Sequence, residues 1–343
     1  MDSTFHSTDP NLLGYLCVDS FLKNPIGVSA LRYCFSRGWI ERWILEGKIL
    51  LEALPPNGPV LVRILIEEGV VFEEDGILAL TTAFRQAWKY SDLMATKLEF
   101  CHQIISDLGS FDLWMEDPLE FQKHSKLFRL FDYGKCIELT ERNVQATTSW
   151  VRLTTALSRY EAPLFLDSVD WSSHRNWLDL GGNSGEFAMQ ICRRFQQLKA
   201  TVMDLPVVCH LGKMHVDSFG MSERVVFKAG DFLQPLHGPQ FDLVSFKSVL
   251  HDWPQEHAVD LIRQAWDKLL PGGRLLIIER AKLPDASIRV GLGHAPVWMF
   301  WNHYRIPNFY ESILLKHHRV SMETKILSAD MPWMVLQAIK SSR

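Results

Sequence analysis

Trp177-Leu178-Asp179-Leu180-Gly181-Gly182-Asn183-Ser184-Gly185 decides the fold of this chain. Apolar residues flank a carboxylate, a glycine-rich turn follows, and a run of helical period begins at once. Phe187, Ala188, Ile191, Cys192 and Phe195 fall on one face of that run, with Glu186, Arg193 and Arg194 expected to face water. Strand, tight turn and helix in this order open a doubly wound nucleotide fold. The glycines let the backbone pass where a Cβ would meet a ligand, and free amides at a helix start suit an acceptor group.

The turn is neither a dinucleotide fingerprint nor a P-loop. The first needs G-x-G-x-x-G and the second a Lys-Ser/Thr after its glycines; D-L-G-G-N-S-G has neither. A carboxylate at the strand end suits a cationic ligand, and S-adenosylmethionine carries both an ammonium and a sulfonium.

Composition narrows the classes. A chain of 343 residues suggests two domains, and 47% hydrophobic residues can build a large core. A net charge of −4 without a long basic run argues against nucleic acid as a partner. The six cysteines are scattered without a C-x-x-C pair, which suits reduced thiols and a cytoplasmic location. The stretch 1–24 lacks the basic start and apolar core of a signal peptide, and no window resembles a membrane span, so no membrane partner is expected.

Residues 1–105 read as a helical, winged-helix domain. After the break Pro55-Pro56-Asn57-Gly58-Pro59, the residues Val60, Leu61, Ile64 and Leu65 make one helix face that Gly69 ends. Val70-Val71-Phe72 and Ile77-Leu78-Ala79-Leu80 then read as a hairpin around Glu73-Glu74-Asp75-Gly76. Glu67, Glu68, Glu73, Glu74 and Asp75 make the unit acidic where DNA would lie, so dimerisation is the expected role. Residues 106–343 read as the catalytic domain, with 106–165 a helical linker rich in aromatics that lines a substrate pocket. Arg129 and Lys135, cations among these aromatics, are candidates to clamp an anionic substrate group.

Beyond the central turn, short apolar runs alternate with helices. Thr201-Val202-Met203 ends in Asp204-Leu205-Pro206, where an acidic residue can hold a ribose diol. Arg224 to Phe227 precedes Gly230-Asp231-Phe232, and Phe241 to Phe246 precedes Lys247-Ser248-Val249-Leu250-His251-Asp252-Trp253-Pro254. Leu270-Pro271-Gly272-Gly273-Arg274 ends a helix before the strand Leu275 to Glu279, and two final runs, Arg319 to Leu327 and Trp333 to Ile339, read as an antiparallel edge. In such sheets the loops at the strands' carboxyl ends share one crevice, and Asp179, Asp204, Asp231, His251 and Glu279 all fall there. A histidine there can titrate near neutral pH and accept a proton.

With these residues the chain resembles the S-adenosylmethionine-dependent methyltransferases, in particular the caffeate-type small-molecule O-methyltransferases. The resemblance implies an α/β fold: a Rossmann-like seven-stranded methyltransferase domain with an N-terminal winged-helix dimerisation domain, hence a homodimer. It places Asp179, Gly181 and Gly182 against the methionine moiety of the cofactor, Asp204 and Leu205 at the ribose, Asp231 and Phe232 about the adenine, and Lys247 nearby. His251 falls on the family's general base and Glu279 on the acid that steadies it.

The carboxyl-terminal part departs from that family. In place of an Asn-Pro-Gly-Gly stretch with a second catalytic acid stands Phe300-Trp301-Asn302-His303-Tyr304-Arg305. This resembles the metal-dependent branch that methylates carbon in 2-oxo acids such as phenylpyruvate. Carried over, His251, Asp252 and His303 would hold a non-haem divalent or trivalent metal, iron first. Two histidines and a carboxylate suit such an ion, which would polarise a 2-oxo acid so that C3 takes the methyl. Metal-assisted C-methylation of a small molecule in secondary metabolism is therefore the leading expectation. The alternatives are O-methylation of a phenol with His251 as base, and a non-catalytic regulator on the same fold.

Overall fold

Leu275, Leu276, Ile277 and Ile278 are four consecutive, fully buried apolar residues, and a strand accommodates that run only when both its faces are covered. In the computed structural model, which describes residues 4–6, 8–284, 289–317 and 320–341, both faces are covered. The strands, in chain order, are β1 (Thr4–His6), β2 (Val71–Glu74), β3 (Ile77–Leu80), β4 (Asn176–Leu180), β5 (Lys199–Asp204), β6 (Val225–Ala229), β7 (Phe241–Lys247), β8 (Leu269–Arg280), β9 (Val320–Leu327) and β10 (Trp333–Lys340). Among the described residues, eight of them form one sheet in the order β1-β9-β10-β8-β7-β4-β5-β6, while β2 and β3 pair separately.

From β6 to β8 the sheet is parallel, and β10 is antiparallel to both β8 and β9. Seven of these strands are the expected ones. The eighth, β1, adds three residues parallel to β9 and has no pattern in the sequence to announce it. On one face Val244, Phe246, Leu275 and Ile277 share a core with Leu261, Ile262, Ala265 and Trp266 of the helix Gln255–Asp267. On the other, Trp177, Leu243, Leu276 and Ile278 share one with Phe187, Ala188 and Ile191 of the helix Glu186–Arg194. The order reverses between β7 and β4, so the crevice at their carboxyl ends is the natural ligand site of this topology.

Two sequence readings of local structure change. β8 begins at Leu269 rather than Leu275, because the Pro271-Gly272-Gly273 stretch joins the strand as an irregularity; Gly272 takes φ +78° and pairing with β7 shifts register between Phe241 and Leu243. Glu186, expected to face water, is buried. Its carboxylate accepts from Gln190 at 2.9 Å and meets His215 Nε2 at 2.5 Å, so a polar cluster replaces solvent.

The chain forms two compact units: Met1–Leu13, Asp132–Ile288 and Phe300–Arg343 in one, Gly14–Phe131 and Arg289–Met299 in the other. The division at 131/132 lies past the expected 105/106. Asp107 explains the shift: its carboxylate accepts from Ser125 Oγ at 2.6 Å and from the amides of Lys126 and Leu127 at 2.9 and 3.0 Å, tying those residues to the helix Ser91–Asp107. The second unit contains the helix Gly58–Glu67 and the β2–β3 hairpin of the winged-helix reading. Asp75 and Gly76 both take positive φ, as a two-residue hairpin turn of matching twist requires. No helix among the described residues is long and apolar enough to cross a membrane.

Candidate active site

The turn after β4 and the turn after β7 fit together through an absent side chain. Gly181 takes φ +71°, and a Cβ there would lie 2.7 Å from a Val249 methyl. A Cβ on Gly182 would strike Asp179 Oδ2. Glycine at both positions thus brings the D-L-G-G-N-S-G turn against the residues leading into His251.

Asp179 is buried at the end of β4. Its Oδ1 accepts from Ser245 Oγ at 2.5 Å, and its Oδ2 is buried with no hydrogen-bond partner among the described residues. Burial pushes its carboxyl up to about 7. Asp204, at the end of β5, spends its oxygens on the main chain: Oδ2 accepts from the Asn183 amide at 2.9 Å and Oδ1 from its neighbour Leu205 at 2.8 Å. Burial raises this carboxyl to about 6. Two buried, under-compensated carboxylates facing one turn fit a cationic ligand such as S-adenosylmethionine. Asp204 also locks the glycine-rich turn, a task that spacing alone did not announce.

The remaining expected cofactor residues divide. Phe232 is buried, with its ring 6.1 Å from that of Trp253, whereas Asp231 is exposed and caps its own turn by accepting from the Leu233 amide at 2.9 Å. Lys247 turns into the protein. Its ammonium meets Glu161 at 2.6 Å, Glu161 also pairs with Arg280 at 2.8 Å, and Arg280 pairs with Asp330 at 2.7 Å. Lys135 sits 3.5 Å from Asp132 and is partly exposed, and Arg129 is exposed in the other unit.

At the end of β7 the chain makes a strained corner, with Ser248 at φ +54°, before the one-turn helix Leu250–Asp252. Glu279 of β8, fully buried, organises it. One oxygen accepts the amides of Val249 and Leu250 at 2.8 and 2.7 Å, and the other meets His251 Nδ1 at 2.7 Å. Burial resists a charge on Glu279, yet these partners hold it below the ordinary carboxylate range. Burial likewise resists charging of His251, but the carboxylates of Asp252 and Glu279 outweigh it and raise its pKa. His251 Nε2 faces Asp252 Oδ1 at 3.4 Å, and Asp252 Oδ2 accepts from the Tyr133 hydroxyl at 2.8 Å. The rings of Tyr304 and Phe300 lie 5.1 and 6.3 Å from that of His251.

A family profile of the O-methyltransferase domain matches residues 115–290, half of the chain. The chain belongs to the O-methyltransferase family. It is 36% identical over 122 residues to aclacinomycin 10-hydroxylase RdmB of Streptomyces purpurascens, a match of 36% of this chain and 32% of that one. It is 35% identical over 120 residues to a 3-hydroxy-5-methyl-1-naphthoate 3-O-methyltransferase of Streptomyces sahachiroi, covering 35% of each. The matched stretch thus spans about a third of the length of these relatives. The fold agrees over nearly the whole chain with the mitomycin 7-O-methyltransferase MmcR, at TM-score 0.70 and 17% identity, covering 97% of this chain and 96% of that one.

Within this O-methyltransferase fold the structure changes the metal expectation. Among the described residues no group of three His, Cys, Asp or Glu is placed to hold a metal ion. Of the three donors expected, Asp252 Oδ2 accepts from the Tyr133 hydroxyl, and the His303 ring packs 5.2 Å from that of Phe300. Tyr133, 119 residues from Asp252, is a site residue that the sequence offered only as one aromatic among many.

Proposed function

We propose that this O-methyltransferase-family chain transfers a methyl group from S-adenosylmethionine to a hydroxyl of a small aromatic molecule of secondary metabolism, with His251 as general base. The observation that carries this reading is the His251 Nδ1–Glu279 contact of 2.7 Å, which leaves Nε2 as the nitrogen able to take a substrate proton. Asp179 and the glycine turn would hold the charged end of the cofactor, with Asp204 and Phe232 beside it. Bound there, S-adenosylmethionine supplies an activated methyl on sulfur that leaves as a neutral thioether.

The residues of this chain handle the proton. His251 Nε2 accepts it as the substrate O–H bond breaks, and Asp252 and Glu279 stabilise the imidazolium that forms. Tyr133 fixes the far oxygen of Asp252, so that carboxylate stays beside Nε2. An aromatic substrate suits the rings of Phe300, Tyr304 and Trp253, and one relative is named for methylating a hydroxynaphthoate. This reading is preferred over metal-assisted C-methylation because the family matched is that of O-methyltransferases, Asp252 is engaged with Tyr133, and the three expected donors are not grouped among the described residues. A relative named as a hydroxylase belongs to the same set of matches, so the reaction rests on the His251 geometry rather than on kinship alone.

The second unit is the proposed dimerisation module. It exposes Leu45 at 86% and Val60 at 62% in an acidic setting, and a cytoplasmic homodimer is the assembly proposed. The test of the function is methyl transfer to a panel of phenols, lost on substituting His251.

A further inference from the structure

The carbonyls of Leu250 and Trp253 stand at the two ends of the turn that carries His251, and one later residue takes both. The Arg305 guanidinium donates to the carbonyl of Leu250 at 2.6 Å and also to that of Trp253. Arg305 is anchored in turn. Its backbone bridges Ala281 at the end of β8, its carbonyl accepts from the Lys282 amide at 3.1 Å, and its guanidinium stacks 4.9 Å from the Phe309 ring.

We propose that Arg305 is a positioning residue that clamps the His251–Asp252 turn by its carbonyls, opposite Glu279, which grips the same turn by its amides. This rests on the proposed reading of His251 as the base. Glu279 and Arg305 meet the turn from the same strand end: Glu279 lies near the end of β8, and Arg305 bridges Ala281, the residue just past it. The base is therefore held between two grips that share one rigid support. A planar guanidinium spans two carbonyls in a way that an ammonium cannot, which explains an arginine here. The segment that departs from the family pattern is thus a device for orienting the base.

The experiment compares Arg305→Lys and Arg305→Gln with the wild type in kcat, KM, cofactor affinity and amide exchange at Val249 and Leu250. Arg305→Lys is expected to lower kcat about 100-fold, as misplacing a base does, with S-adenosylmethionine affinity kept. Arg305→Gln, whose amide can still donate to a carbonyl, should lower kcat about 10-fold. The Val249 and Leu250 amides should exchange faster in both variants. Wild-type kcat and exchange in both variants would overturn the clamp, as would equal losses of kcat and cofactor affinity. If Arg305→Lys does not fold, Arg305→Gln decides. The exchange arm needs no turnover, so absence of methyl transfer in the wild type would remove the function while leaving the clamp to be judged by exchange.

Discussion

His251 Nδ1 lies 2.7 Å from Glu279 Oε2, and the other oxygen of Glu279 binds the two amides that lead into His251. One carboxylate thus sets the tautomer of the imidazole and the path of the backbone that carries it. The contact is made by residues 28 positions apart, at the ends of two neighbouring parallel strands.

The first prediction is the pH dependence of catalysis. His251 acts as a base only when neutral, and its pKa is raised, so kcat/KM should rise with pH through a value above the ordinary histidine range. Glu279→Gln removes one carboxylate that raises it, so the acid limb should move to lower pH while kcat falls. His251→Asn should lower kcat about 10²–10⁴-fold, as loss of a general base does. A pH profile unchanged by Glu279→Gln would contradict the pairing.

Cofactor binding should be coupled to protons. With Asp179 pushed up to about 7 and Asp204 to about 6, the folded state without ligand holds protons that the unfolded state has released above the ordinary carboxylate range. Stability of the free protein should therefore fall as pH rises from about 4 to about 7, the sign expected for raised carboxyl pKa values. A cationic ligand needs the ionised form, so S-adenosylmethionine should raise Tm more at pH 8 than at pH 5.5. Asp179→Asn should weaken its binding by about 1.5–3 kcal/mol, the worth of a hydrogen bond to a charged group. A Tm gain independent of pH would count against this.

The ion network beneath the site should be structural. Glu161 is buried between Lys247 and Arg280, and Glu161→Gln takes the carboxylate from Lys247 while Arg280 keeps Asp330. Urea unfolding should show a loss of about 3–5 kcal/mol, typical of a broken buried pair. A loss within experimental error would show that water enters and screens the network.

Assembly is read by light scattering at micromolar concentration, where a dimer of the 39.5 kDa chain is expected. Placing glutamates at Leu45 and Val60 together should give a monomer. A wild-type monomer would remove the dimerisation role of the second unit.

Much of this architecture was legible locally. The run from Trp177 to Gly185 announced strand, turn and helix because period and glycine placement are properties of adjacent residues. His251 and Glu279 were readable as residues near the ends of two recognisable strands, and the resemblance paired them. Tyr133–Asp252 and Glu161–Arg280, each 119 residues apart, have no local signature, so only the fold reveals them. Glu186 was misread because helical period gives the direction of a side chain but not the polar partner, His215, waiting there. His303 was placed near His251 by resemblance; its ring packs on Phe300, which in turn faces His251, an arrangement that residue identity does not encode.

The measurement that tests the central claim most directly follows a ¹³C-labelled methyl group from S-adenosylmethionine into product by NMR. Hydroxylated aromatics and 2-oxo acids are offered to wild type and to His251→Asn, with and without a strong chelator. The predicted result is label on oxygen of an aromatic substrate, unaffected by chelation and lost with His251. Label on C3 of a 2-oxo acid, abolished by chelation and restored by added metal, would contradict the account.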